Sequence, residues 1–446
     1  MNVPTQGGPN LRMRCSGTHD RVRPTGMLAM AISLRLMGVL FVVLLGSLGN
    51  AAEDWFDRVE QALTFSAPSG EARFRVSGTI DVEGYDVQLP APGVIDASRA
   101  ELWNPRLSVF VDAQFGSQAY AFAQARVDRG FDPGHRPGEV RLDEYALRLA
   151  TWTATPVVLQ VGKFATIVGN WTTRHTSWSN PFINAPLPYE YLTGIWDTKA
   201  IDTSGLLLLW SHVRPGQRQA VTDVEKTLRI PIVWGPAYSS GVSVAGEVGL
   251  FNYAAEVKLG SLSSRPEAWQ HAWEQRHHPT AAVRFGYRPS PTWNFGVSAS
   301  SGAYLREFAE ETLPAGTSRG DYRQTVFAAD AMFAWRHWQL WSEVYVSRFE
   351  IPLVGDADTT AYYVEGKYRI SPRVSAALRW GQQFFGTIQH RRNPTRWGFE
   401  VWQIDAAPAF RLTAHTQLKL QYTLKHGDSD ARSTTRAISG QFTLRF

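Results

Sequence analysis

From about residue 72 to the C-terminus the chain alternates apolar and polar residues, segment after segment, in runs of roughly eight to fourteen residues. Period-two alternation places one side-chain set on each face of a strand, so odd and even positions report what each face meets. In the last segment Ile438, Gly440, Phe442, Leu444 and Phe446 share one face, while Ser439, Gln441, Thr443 and Arg445 share the other. The segment before it sets Leu418, Leu420, Tyr422 and Leu424 against Gln417, Lys419, Gln421, Thr423 and Lys425. Near the start, Phe74, Val76, Gly78, Ile80 and Val82 oppose Arg73, Arg75, Ser77, Thr79, Asp81 and Glu83. A sandwich strand also alternates, but its inner face tolerates few charges and its sheet edges need protection. Here the polar face is long and charged throughout, which predicts an all-β chain closed into a transmembrane antiparallel barrel whose apolar face looks outward.

Connections alternate between tight turns, such as 115–118, 288–292, 336–338 and 370–373, and longer polar loops at 85–104, 130–139, 169–201, 260–278, 302–321, 350–359, 385–397 and 427–432. Outer-membrane barrels have this grammar of short periplasmic turns and long outer loops. Seventeen segments are clear, one of them at 203–212, and a stretch at about 219–231 supplies a further strand. The expectation is therefore about 18 strands, with 16 as the alternative. Trp293, Trp335, Trp338, Tyr368, Trp397 and Phe446 lie near strand ends, where interfacial aromatic girdles form.

Residues 53–63 carry acidic positions first and then Trp55, Phe56, Val59 and Leu63 at helical spacing, predicting a short amphipathic N-terminal helix. Before it, Arg35 is followed by an apolar run to Leu48 and small residues through Ala52, the pattern of a secretory signal peptide cleaved after Ala51 or Ala52. Met27 or Met30 can serve as the start codon. The expected organisation is a leader over 1–51, a short periplasmic helix and linker over 52–71, and the barrel over 72–446.

Composition narrows the function classes. Aromatic residues make up 12% of the chain, with 17 Trp, and charged residues only 19%, below the roughly 25% of ordinary soluble domains. The single cysteine, Cys15, falls in the leader, so the mature chain has no disulfide, thiolate cluster or cysteine nucleophile. Five arginines of the leader inflate the formal charge of +5. No basic block remains to bind nucleic acid.

Two stretches carry a family resemblance. Phe446, preceded by Phe442 and Leu444, resembles the C-terminal signal read by the outer-membrane barrel assembly machinery. Residues 120–197, with AFAQARVDRGFDPG, VRLDEYALRL, LQVGKF and WTTRHTSWSNPFINAPLPYEY, look like outer-membrane porins of the broad group that includes the phosphate-selective O and P porins. The resemblance implies passive or semi-selective diffusion of small hydrophilic solutes or ions across the outer membrane of a Gram-negative-type bacterium, in a lipid-embedded homotrimer, with no cofactor, no metal and no enzymatic activity. The group's basic phosphate ladder has no clear counterpart here.

On that reading the pore-lining residues include Arg73, Arg75, Arg126, Asp128, Glu144, Arg148, Arg284, Lys367, Arg379 and Lys419. A slight basic excess leans toward anions, although neighbouring opposite charges mostly neutralise each other. The loop 169–199 is unusually long and aromatic, and long ordered loops are usually functional. It is expected to fold into or over the pore, with Trp171, Arg174, His175, Trp178, Phe182 and Tyr189 at a constriction. His271, His277 and His278, with Glu267 and Glu274, lack metal-ligand spacing. No GxSxG, HExxH, P-loop or dinucleotide fingerprint occurs. Two other readings stay open: a non-conducting barrel acting as an enzyme or adhesive anchor, and a soluble periplasmic β protein.

Overall fold

The computed structural model describes residues 50–88, 93–95, 99–129, 138–151, 157–212, 228–266, 277–427 and 434–446. The chain forms two units, Met1–Trp55 and Phe56–Phe446. The described part of the first is the opening of helix α1 (Asn50–Ala62); the expected signal peptide lies outside the described residues.

In the second unit a short strand β1 (Thr64–Ser66) precedes the long strands β2 (Ala72–Val87), β3 (Glu101–Phe115), β4 (Ala119–Asp128), β5 (Glu139–Ala150), β6 (Val157–Phe164), β7 (Ser239–Val248), β8 (Phe251–Lys258) and β9 (Thr280–Ser290). The circuit continues through β10 (Trp293–Ala303), β11 (Arg323–Trp335), β12 (Trp338–Ile351), β13 (Gly355–Arg369) and β14 (Val374–Phe385). A small hairpin, β15 (Thr387–His390) and β16 (Asn393–Arg396), then precedes β17 (Val401–Arg411), β18 (Thr416–His426) and β19 (Thr434–Arg445). Each long strand pairs antiparallel with the next, and β19 pairs with β2 from Arg445↔Thr79 to Ala437↔Val87. Closure satisfies the backbone around the ring, the condition for crossing hydrocarbon with strands.

The barrel has 16 strands, so the alternative count holds and the 18-strand expectation is corrected. Residues 204–212, SGLLLLWSH, form a helix. Four consecutive leucines have no period-two pattern, and leucine is a strong helix former. Most of the other proposed strand, 219–231, lies outside the described residues; its end, at Arg229, forms only an isolated bridge with Trp196. The expected long loop at 350–359 is also corrected: β12 and β13 extend to Ile351↔Gly355 and are joined by a tight turn with Leu353 at positive φ.

Alternation resolves inside out. Phe285 is 60% exposed and Leu378 60%, whereas Asp81 and Asp405 are 1% exposed. Along β18 and β19, Leu420, Tyr422 and Ile438 face outward while Gln421, Gln441 and Thr443 are buried inside. An apolar exterior around a polar interior suits hydrocarbon as the outer solvent. Trp293, Trp335, Trp338 and Tyr368 are exposed beside the short turns, Trp338 packing on Tyr368 at 4.6 Å between centroids. Trp397 departs from the expected girdle. It is fully buried in the loop after β14, edge-on to Phe385, and its indole N–H donates to the Asp358 carbonyl at 2.7 Å.

Both ends of the second unit meet at the seam. Phe446 exchanges backbone hydrogen bonds with Gly78, and β1 pairs with the part of β2 below it, Thr64↔Arg75 to Ser66↔Arg73. A Cβ at position 78 would lie 2.5 Å from Phe446 Cζ and 2.8 Å from the Ser108 carbonyl oxygen. Only glycine lets the terminal ring lie there.

Candidate functional site: the lumen and its inserted loop

The connection between β6 and β7 folds into the barrel. It carries a 3-10 turn (Trp171–Arg174), α2 (Leu187–Glu190) and α3 (Ser204–His212). A loop brought inside a barrel must find partners for its backbone, and the charged inner wall supplies them. The Glu343 carboxylate accepts from the backbone N–H groups of Asn170 and Trp171, both at 2.6 Å, and from the Tyr189 hydroxyl at 2.6 Å. The Gln421 amide oxygen accepts from Ile183 N–H at 2.6 Å. Lys419 donates to the carbonyls of Ser177 and Asn180. Ser177 donates to Asp81 at 2.9 Å.

The apolar side of the loop packs on the wall where inward positions are small. Ala282, Ala328 and Ala361 leave room for Val168, Trp171, Tyr189, Ile232 and Val233, and Ala377 and Ala407 do so for Phe182. These buried clusters fill the lumen on the side of β9 to β17.

Most of the expected pore-lining residues make polar contacts with neighbouring strands or with the inserted loop. Arg379, 1% exposed, donates to Asp405 at 2.9 Å and to Asn184 Oδ1 at 2.6 Å, with Phe182 beneath its guanidinium at 4.3 Å. Arg284 grips Asp330 with two bonds, 2.6 and 2.9 Å. Arg126 pairs with Asp143 at 3.0 Å, and Asp128 with Arg141 at 3.1 Å. Arg148 donates to Gln160 and lies 4.7 Å from the Phe122 ring centre, while Glu144 accepts from Ala165 N–H at 2.9 Å. Arg75 pairs with Glu60 of α1 at 2.6 Å. Arg73 is exposed near the short-turn rim. Lys367 stands there too, lining a basic hollow with Arg336, Arg369, Arg373 and Arg411.

The expected constriction residues are all in the inserted loop. Arg174 pairs with Glu365 and donates to the Tyr363 hydroxyl. Trp171 packs on Tyr189 at 4.6 Å. Burial pushes the His175 imidazole down to about 4, so it is neutral at pH 7; one nitrogen lies 2.6 Å from the Tyr238 hydroxyl. Trp178 lies between Arg445 and Arg411, at 4.4 and 5.1 Å. In α2, burial pushes the Glu190 carboxyl up to about 7, against the pull of Arg379 and Lys425.

The open space follows the opposite wall. A cavity of about 190 Å³ lies between β2–β5 and the loop, and a second of about 280 Å³ opens at the mouth beside α1. The two share Thr79, Phe110 and Thr176 as lining. The first reaches Val94 and Ile95 in the loop after β2, and the second reaches Glu60 and Arg445 at the short-turn rim.

Several lining residues lay beyond the expected set: Asn104, Arg106, Arg141, Asp143, Glu190 and Gln441. Most stand on polar faces that the alternation marks. Asp143 does not, because consecutive residues cannot share a face of a regular strand. A register shift opposite Gln124/Ala125 turns both Asp143 and Glu144 inward. The alanines on otherwise polar inner faces were the available signal that something packs inside. His271, Glu267 and Glu274 lie outside the described residues. Among the described residues no acidic or histidine group forms a metal cluster.

No protein-family model and no curated protein sequence matches the chain. Solved structures do. An anion-selective porin from Comamonas acidovorans superposes with a TM-score of 0.53 at 11% identity, covering 84% of this chain and 100% of that one. Salmonella typhi OmpF, in complex with daunomycin, gives 0.53 at 10% identity, covering 86% of this chain and 100% of its own. OmpT, an outer-membrane protein of Vibrio cholerae, gives 0.50 at 9%, with 86% and 100% covered. The chain shares the barrel fold of the outer-membrane porins.

Proposed function

We propose that the protein is an outer-membrane diffusion channel for small hydrophilic solutes, narrowed by the loop inserted between β6 and β7. Two neighbouring cavities along β2–β5, one reaching the loop after β2 and the other the mouth beside α1, with lining residues in common, carry this reading. Single-channel recording tests it. The purified full chain is expected to give discrete steps, smaller than those of an unobstructed 16-strand pore, which leaves an aqueous lumen. Absence of steps would favour the non-conducting barrel, for which the apolar packing that fills part of the lumen also speaks.

The finer features belong to the same proposal. A leader exports the chain, and the terminal Phe442, Leu444 and Phe446 present the strand to the barrel assembly machinery. The rim group of Arg336, Lys367, Arg369, Arg373 and Arg411 forms no ion pair among the described residues and gives access a lean toward anions. β6 and β8 have eight residues each, below the nine to eleven or so that cross a bilayer at a tilt. That low, apolar sector suits a neighbouring copy better than lipid, and supports a homotrimer.

Glu190 makes the proposed channel pH-sensitive. Its carboxyl is neutral below about 7 and charged above it, and it lines the cavity. Raising pH from 6 to 8 adds a negative charge to the route, so the reversal potential in a salt gradient is expected to move toward cations. Glu190→Gln should flatten that movement; an unaltered pH response in the variant would remove Glu190 as its source.

A further inference from the structure

The cavity's unsatisfied atoms are of two kinds. The Trp171 indole N–H, a donor, has no partner, and neither do the side-chain oxygens of Asn104 and Gln441, both acceptors. All three residues line the space, at 5%, 6% and 2% exposure. Glu83 sets the two amides: its carboxylate takes the N–H of Gln441 at 2.7 Å and of Asn104 at 3.4 Å, leaving their oxygens free.

The charges alongside are committed to one another. Arg106 bridges Asp81 at 3.2 Å and Glu83 at 2.6 Å, and Arg126 and Arg141 serve Asp143 and Asp128. An anion would meet carboxylates with every nearby guanidinium already engaged, and as an acceptor it could not satisfy the amide oxygens. A cation could not accept from the indole. A hydroxyl both donates and accepts, so an uncharged solute with several hydroxyls offers partners of both kinds. Phe110, Phe182 and Trp234 supply apolar surface for its C–H faces. The volume, about 190 Å³, is roughly six waters' share of liquid and comparable with one six-membered sugar ring.

We propose that this cavity is a binding site for a neutral polyhydroxylated solute of monosaccharide size, a site along the route of the proposed channel. It rests on the channel reading for its role in passage, but not for binding itself.

The experiment uses the full-length protein in planar bilayers at constant KCl, titrated with D-glucose. Glucose is expected to interrupt the current in a saturable way. Trp171→Phe, which keeps a ring and removes the donor, and Asn104→Ala, which removes an acceptor, should each raise the half-saturating concentration roughly threefold to tenfold, the range for one lost hydrogen bond. Steps that glucose leaves unchanged, or that inorganic phosphate interrupts at lower concentration, would overturn the site while leaving the channel intact. If the protein does not conduct, the channel reading fails by itself, and the same glucose titration is followed by tryptophan fluorescence in detergent. A saturable change, weakened in Trp171→Phe and Asn104→Ala, supports the site, and a flat response overturns it.

Discussion

Deleting residues 172–192 is expected to raise single-channel conductance several-fold. The segment supplies Phe182 and Tyr189, which pack against the wall alanines, Arg174, which pairs with Glu365, and Trp178, which lies by Arg445. Without it water enters the space between β9 and β17. The wall groups that held it, Glu343, Glu365, Arg379 and Lys419, would then be hydrated rather than stranded, so the ring of sixteen strands should still close. The measurement is step size in a planar bilayer, with heat-modifiable migration as the check on folding. Unchanged conductance in a folded variant would show that the inserted loop does not limit passage.

Replacing Arg379 by Met is the point substitution with the largest expected cost in stability. The guanidinium is engaged by Asp405 and by Asn184, with Glu365 at 3.7 Å, and all three charged side chains are at most 1% exposed. Removing the cation leaves carboxylates buried with fewer partners, which costs about 3–5 kcal/mol. Methionine keeps much of the volume over Phe182, so packing changes least. Adding Asp405→Asn removes one stranded charge and should recover part of the loss. Thermal unfolding of the detergent-solubilised barrel, followed by the shift in gel migration, measures both. A single variant that melts with the parent would mean the lumen admits enough water to solvate these carboxylates.

Much of this architecture was legible because lipid and lumen impose opposite demands on alternate residues. The faces of Asp81 and Glu83, of Leu420 and Tyr422, and of the terminal segment follow from parity alone. Parity fails where the chain leaves the ladder. Residues 204–212 are apolar without a period of two, and the helix preference of their four leucines decides them. Asp143 turns inward through a register shift that no local pattern announces. Trp397 resembles its girdle neighbours in sequence, yet packs under a loop. The inserted loop drew notice by its length and aromatic content, but its partners, Glu343, Glu365 and Gln421, are more than a hundred residues away. Such pairings are set by where the strands place their side chains, and nothing near the loop encodes them.

The seam at β2 has a consequence for how the molecule is made. Because β2 completes its ladder only with β19, the ring closes only when that strand is in place. Until then the chain carries two raw edges, and pairing between its first and last strands must be found across nearly its whole length, a slow search. Unpaired edges of that kind are templates for pairing with other chains, and a chain that lacks β19 is expected to leave an open ribbon instead of a smaller ring.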